Sequence, residues 1–326
     1  MNTVLTYALL LFHSAANAQD AQAPISFGGL GTHSIPVTTA SQEAQRWFDQ
    51  GVAFMFAFNH DEAVLAFEQA AKTDRDCAMA YWGIATALGP NINNPAVEPA
   101  AAEKAWKAVM AAQTFIGDRT GIEKDLIDAV SKRYSPNASA NRGPLDLAYA
   151  AAMRSLAAKY ADDPNVLVLT AESLMDLHPW DLWEANGTAK PWTPEIKALL
   201  ERAIEKNPKH PLALHLYIHT TESSSKPQDG LVAARTLLTL NPGLGHMVHM
   251  PSHTFVRTGD WLEAIRSNQL AIEADSAYVA KRPKQGFYVF YMSHNHQMLA
   301  FAAMMRGQSE MAIKGMDHML ETTPKD

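Results

Sequence analysis

The sequence predicts an all-α protein, a superhelical solenoid of about seven antiparallel helix pairs, and three observations carry that prediction. Asn207-Pro208 and Asn241-Pro242 each close an amphipathic stretch and stand 34 residues apart, a period that belongs to stacked helix pairs. Apolar residues recur at helical spacing in segment after segment, and nowhere does the chain alternate as a strand does. Of the 326 residues 47% are apolar and 19% charged, which is apolar mass enough for a large core and excludes a disordered chain. A repeat array also replaces the two domains that this length would otherwise suggest.

The N-terminal residues read as an address. Residues 4–12 (VLTYALLLF) form an apolar run of nine, far short of the roughly 20 needed to span a bilayer. Ala16-Asn17-Ala18 follows with the small-x-small form of a signal-peptidase site. Segment 1–18 is therefore expected to be a signal peptide cleaved after Ala18, with the mature chain periplasmic or secreted. No other segment is apolar enough to cross a membrane. The single cysteine, Cys77, rules out an intramolecular disulfide framework and any cysteine-based zinc or iron–sulfur site, and reads as a small buried hydrophobe. A net charge of −7 argues against a general grip on nucleic acid.

After an extended segment over 19–40, the solenoid is expected over 41–326. Segment 41–57 carries apolar residues at helical spacing, and Asn59 caps a partner helix over 60–73. With Ala44 as position 1, Trp47 falls at 4, Gly51 at 8, Phe54 at 11, Ala63 at 20, Phe67 at 24 and Ala70 at 27. This pattern resembles the tetratricopeptide repeat (TPR), and the resemblance implies a right-handed superhelix. Small residues at 8, 20 and 27 let the two helices of a unit approach, and large ones at 4, 11 and 24 fill the gaps between units.

A second unit opens at Ala78. Helices over 102–115, 121–134 and 145–160 match the repeat less well. The next pairs are 166–177 with 194–206, 210–222 with 228–240, 246–257 with 261–273, and 287–305 with 310–320. Pro251 falls inside one of these helices and demands either a kink or a restart there. Three stretches break the period: 90–97 and 135–144, read as plain turns, and 178–193, an insertion carrying Trp180, Trp183 and Trp192. Three tryptophans in one loop are expected to fold back onto the solenoid, on the groove side beside His178. A second domain or an oligomer contact is expected at the C-terminal end, because no polar capping helix follows Leu320.

Histidine is the unusual residue: nine of 13 fall between His178 and His296. The TPR resemblance implies that positions 2, 5, 9 and 12 of the first helix of each unit face a concave groove. His215, His219 and Glu222 fall on such positions, as do His246, His249 and His253, then His294, and His178. Spacing supports this independently, because His215/His219 and His249/His253 are i, i+4 pairs that each share one helix face. Two such pairs on helices about 8–10 Å apart bring four imidazoles within reach of one or two ions. Histidine ligands suit copper, iron, nickel or zinc and disfavour magnesium and calcium. Met247, Met250, Met292 and Met298 lie nearby as soft donors or, at helical spacing, core filler. His33, His60 and His318 read as surface or capping residues, His210 as a helix cap and His296 as packing.

The expected function is transition-metal binding, with one or two ions (copper or iron favoured, zinc as the other choice) held by His178, His215, His219, His246, His249, His253 and His294. Tyr217, Tyr288 and Tyr291 lie on the same or adjacent helices and Arg257 stands one turn beyond His253, so redox chemistry on a small-molecule or peptide substrate is expected, with Glu222, Tyr217 and Arg257 as catalytic candidates. Zinc with Glu222 as general base would serve hydrolysis instead. Metal storage is a third reading. TPR resemblance by itself implies a peptide-binding module, but the Lys, Asn and Arg of a carboxylate clamp are replaced by His. No phosphate loop or dinucleotide fingerprint appears; Gly28-Gly29-Leu30-Gly31 lacks a preceding strand.

Overall fold

The computed structural model describes residues 24–323, so the expected signal peptide lies outside the described residues. Fifteen α-helices stack as seven antiparallel pairs, with no named strand among them. The first pair is α1 (Gln42–Phe56) and α2 (His60–Thr73), opened by Ser41, which accepts from the Ala44 N–H, and Asn59, which accepts from Glu62. Then come α3 (Ala78–Ala87) with α4 (Pro99–Ile116), α5 (Ile122–Val130) with α6 (Arg142–Lys159), and α7 (Pro164–Met175) with α8 (Thr193–Lys206). The fifth pair is α9 (Pro211–Glu222) and α10 (Leu231–Leu237). In the sixth, α11 (Gly245–His249) and α12 (Pro251–Thr258) together oppose α13 (Trp261–Lys281), and α14 (Val289–Met305) with α15 (Ser309–Thr322) complete the stack. None of these helices is long and apolar enough to cross a membrane.

Repeat packing follows from residue size. A Cβ on Gly51 would stand 2.6 Å from the Phe67 ring, and one on Gly83 would stand 2.5 Å from it. The ring of α2 is therefore clamped between two bare backbones, which only glycine permits. Pro251 does not end the helical path: Met250 keeps right-handed helical angles (φ −49°, ψ −40°), so α11 runs into α12 through a kink. That kink satisfies the proline, which has no N–H to donate, and keeps His249 and His253 on one side.

The superhelix closes on itself, which the sequence frame does not anticipate. Arg282, just beyond α13, donates from Nε and Nη2 to the two oxygens of Glu62 on α2, at 2.6 Å each, in a buried bidentate pair. Residues 24–40 run as an extended strap across the far side, where Gly243 N–H donates to the Gly29 carbonyl at 2.8 Å. A Cβ on Gly29 would stand 2.8 Å from Gly243 N, and φ is +73° there, so both proximity and conformation require glycine. The consequence falls on α9, every residue of which is buried. It packs against α1, α7, α8, α10 and α12. A helix buried on every face, polar residues included, is an enclosed one, and the concave groove expected from the sequence is here a closed interior.

Candidate metal centre

Six imidazoles from α9, α11, α12 and α14 meet inside this closure as two triads. His215, His219 and His246 form the first and are all buried; His249, His253 and His294 form the second, with His253 and His294 half-buried. Within each triad the ligating atoms lie within 4.8 Å of one another. Tetrahedral coordination at 2.0–2.1 Å sets nitrogens about 3.4 Å apart, so the ligating atoms of each triad need to close by at most about 1.4 Å to hold an ion. The triads adjoin, with His219 and His253 rings 6.1 Å apart and His246 and His249 rings 5.9 Å apart.

Hydrogen bonds to Nδ1 orient five of the six rings. His215 Nδ1 donates to the Phe56 carbonyl at 2.8 Å, bringing the end of α1 onto α9. His249 Nδ1 donates to Asn268 Oδ1 at 2.7 Å, and the Asn268 amide nitrogen donates in turn to the Ala264 carbonyl. His294 Nδ1 lies 2.9 Å from Gln297 Oε1. Glu222 joins the triads: its two oxygens accept from His219 Nδ1 at 3.0 Å and His253 Nδ1 at 2.7 Å. Because these partners only accept, the Nδ1 atoms carry the protons and each Nε2 is left as a lone pair. That is the state in which histidine binds a metal, held by an outer acceptor.

The inward nitrogens lack protein partners. His215 Nε2, His219 Nε2 and both ring nitrogens of His246 are buried without a hydrogen bond. In the second triad the Nε2 atoms of His249 and His253 face each other at 2.9 Å. Two lone pairs at that distance repel unless a cation stands between or beside them. A proton does so when His253 is imidazolium, and a metal ion can replace it.

Burial pushes His215, His246 and His249 well below the usual imidazole range, and the neighbouring imidazoles add to this. Burial also lowers His219 and His294. Burial would lower His253 too, but the Glu222 carboxylate outweighs it and raises the group. Glu222 is the reverse: burial would raise it, yet His253 and His219 hold it far below the usual carboxylate range. The site is thus five imidazoles held toward the neutral form and one, His253, held toward the charged form beside a firm anion, which favours cation binding.

Aromatic side chains wall off the first triad. Phe58 packs 4.6 Å from His215 and 5.5 Å from His246, and the edge of Trp180 meets His219 at 5.2 Å. Phe58 and Trp180 are the two non-glycine residues with left-handed backbone among the described residues, at φ 56° and 60°. That conformation is costly for a bulky side chain, and both uses of it deliver a ring to the same triad. Tyr291 stands 4.5 Å from His246. The insertion is held in place by Trp183 Nε1, which donates to the Thr220 carbonyl of α9 at 2.8 Å. The stretch 90–97 is more than a plain turn: Ile92 lines a small cavity with Trp180 and His219, and Asn93 stands beside the Tyr291 hydroxyl.

Other expected site residues lie outside the triads, although His178 lines the small cavity beside His219. His178 belongs to neither triad; α7 stops at Met175, so His178 falls outside the helical count and stacks on Trp192 at 3.6 Å. Tyr217 sits two residues from His215, on the other side of α9, and donates to Glu201 of α8 at 3.0 Å. Arg257 is exposed and donates to the Ser224 carbonyl at 3.3 Å, touching no ligand nitrogen. Neither Tyr217 nor Arg257 is placed for chemistry at the triads. His210 caps α9 by accepting from Ala213 N–H. His33 is half-buried against His210 rather than on the surface, and burial lowers His60 as well. His296 packs near His318, away from both triads. The residues that sequence reasoning missed as site members are Phe58, Asn93, Asn268 and Gln297.

No family model and no curated relative matches the chain. Among solved structures it is similar to the MamA RS-1 ArsTM double mutant (TM-score 0.42, 12% identity, 55% of this chain and 85% of that one). It is similar also to MamA 41-end from Desulfovibrio magneticus RS-1 (TM-score 0.41, 12% identity, 55% and 85%). A third, described as the crystal structure of MamA, aligns at TM-score 0.40 and 13% identity over 54% of this chain and 88% of that one.

Proposed function

We propose that the chain binds two transition-metal ions, one in each histidine triad, and that the half-open triad carries redox chemistry on a small molecule. One observation carries this reading: five imidazoles are anchored through Nδ1, and each triad, with the unanchored His246 in the first, gathers one ring nitrogen per histidine within 4.8 Å. Leaving a buried acceptor unmatched costs roughly 1–3 kcal/mol, and one ion per triad removes several such costs together.

Nitrogen donors with one carboxylate suit copper, iron or zinc. Redox chemistry is favoured over hydrolysis because both Glu222 oxygens already accept imidazole N–H groups and the carboxylate is held firmly ionised, a poor general base. Copper or iron would supply one-electron chemistry. The protein's own part is to fix the ligands, keep water from the first triad with Phe58 and Trp180, and leave His253 and His294 reachable. Peptide binding in a concave groove has less support, since α1 covers that side of α9. The leader read at residues 1–18 supports an exported protein.

Elemental analysis of the purified mature chain tests the proposal. About two equivalents of copper or iron are expected, with both lost in a His215→Ala/His249→Ala variant that removes one ligand from each triad. A protein that stays metal-free after exposure to copper, iron and zinc near neutral pH overturns it.

A further inference from the structure

Three ligands leave the first triad short of the four that a closed site uses, and one buried phenol borders it. Tyr291 lies on α14 one turn before His294, so both project from the same helix face. It is 6% exposed. Its ring is 4.5 Å from His246, whose two ring nitrogens are both unmatched. Its hydroxyl makes no hydrogen bond of normal geometry, and the oxygen of neighbouring Asn93 is likewise unmatched.

The other phenols of the region are committed. Tyr288 donates to Asp275 at 3.1 Å and accepts from the His246 N–H at 3.1 Å. Tyr217 donates to Glu201. Tyr291 is thus the phenol whose oxygen has no partner at normal hydrogen-bond geometry while its ring lies against a triad imidazole.

Building on the two-ion reading, we infer that Tyr291 is the fourth ligand of the buried ion, making that site His₃Tyr. As the oxygen–metal bond forms, the O–H bond breaks and the proton leaves to solvent; no electron is transferred. An anionic oxygen ligand prefers the oxidised ion, so the buried site is matched to Fe(III) or Cu(II). The second triad, which has no such donor assigned, keeps an exchangeable position.

Loading with Fe(III) and with Cu(II), followed by visible absorption and resonance Raman, tests the assignment. A phenolate-to-metal charge-transfer band with enhanced tyrosine ring modes is expected in the wild type and in Tyr217→Phe. Tyr291→Phe should lack the band while retaining both ions by elemental analysis. Two bound ions with no band, or a band that survives Tyr291→Phe, overturns the tyrosine ligand and leaves the two-ion reading standing. A protein that binds no ion overturns both. Should Tyr291→Phe fail to fold, fluorotyrosine placed at position 291 must shift the band; an unshifted band overturns the assignment.

Discussion

The two triads share a residue type, helix α11 and a bridging carboxylate, and they differ in enclosure. His215, His219 and His246 lie beneath Phe58, Trp180 and Tyr291, with all three rings buried. His249, His253 and His294 have no such lid, and two of the three are half-exposed. Metal sites divide along this line: closed ones hold their ion, and open ones leave a position for a reactant. The contrast teaches that histidine count says little here, and that the second layer of residues assigns each triad its part.

Single-ligand removal should break the comparison most sharply. His246→Ala is expected to lose the buried ion and keep the open one, and His294→Ala to do the reverse, each measured as one equivalent lost by elemental analysis. Loss of both ions from either variant would mean a single shared centre rather than two.

Much of the fold is legible in the sequence. Helices with a polar face, such as α1 and α8, announce themselves by period, and their caps mark the ends within a residue or two. The i, i+4 histidine pairs are legible for the same reason. What escapes is the closure, because it rests on contacts distant along the chain: the Phe56 carbonyl meets His215 across 159 residues and Arg282 meets Glu62 across 220. No local pattern encodes those meetings. His178 shows the opposite failure, since a frame counted in helix positions says nothing once the helix has ended at Met175.

Acid should act strongly on the metal-free protein. Burial, with Arg133 adding, pushes His60 down to about 4, and burial, with His33 adding, pushes His210 down to about 3. The buried triad moves the same way. These groups stay neutral when folded and take up protons when unfolded, so the unfolded state binds more protons below pH 6.5 and stability falls with pH. Each such group contributes up to about 1.4 kcal/mol per pH unit. His253 has the opposite sign, contributing below 6.5 and losing that contribution as pH rises through its raised value. Denaturant midpoints are expected to fall steeply from pH 6.5 to 4; a flat profile would mean that the buried imidazoles are already protonated.

Glu222 tests the link between the sites. Glu222→Gln keeps one acceptor oxygen for two imidazole donors, so affinity should fall about 10–100-fold. Competitive titration with a coloured chelator reads this, and a change in one triad alone would show that the carboxylate orients only that triad.

Asn268 offers the finest distinction. Its amide nitrogen is committed to the Ala264 carbonyl, which fixes its oxygen as the acceptor for His249 Nδ1 and leaves His249 Nε2 as the lone pair. Asn268→Leu removes that acceptor without touching a ligand, so the open triad should weaken about tenfold while the buried triad holds its ion unchanged. Asn268→Asp restores an acceptor and should recover the affinity, which a mere packing role would not. If leucine and aspartate weaken the site alike, volume and not tautomer control is what Asn268 supplies. Equal weakening of both triads would instead show that rigidity passes between them through Glu222, and the buried site would owe part of its hold to the open one.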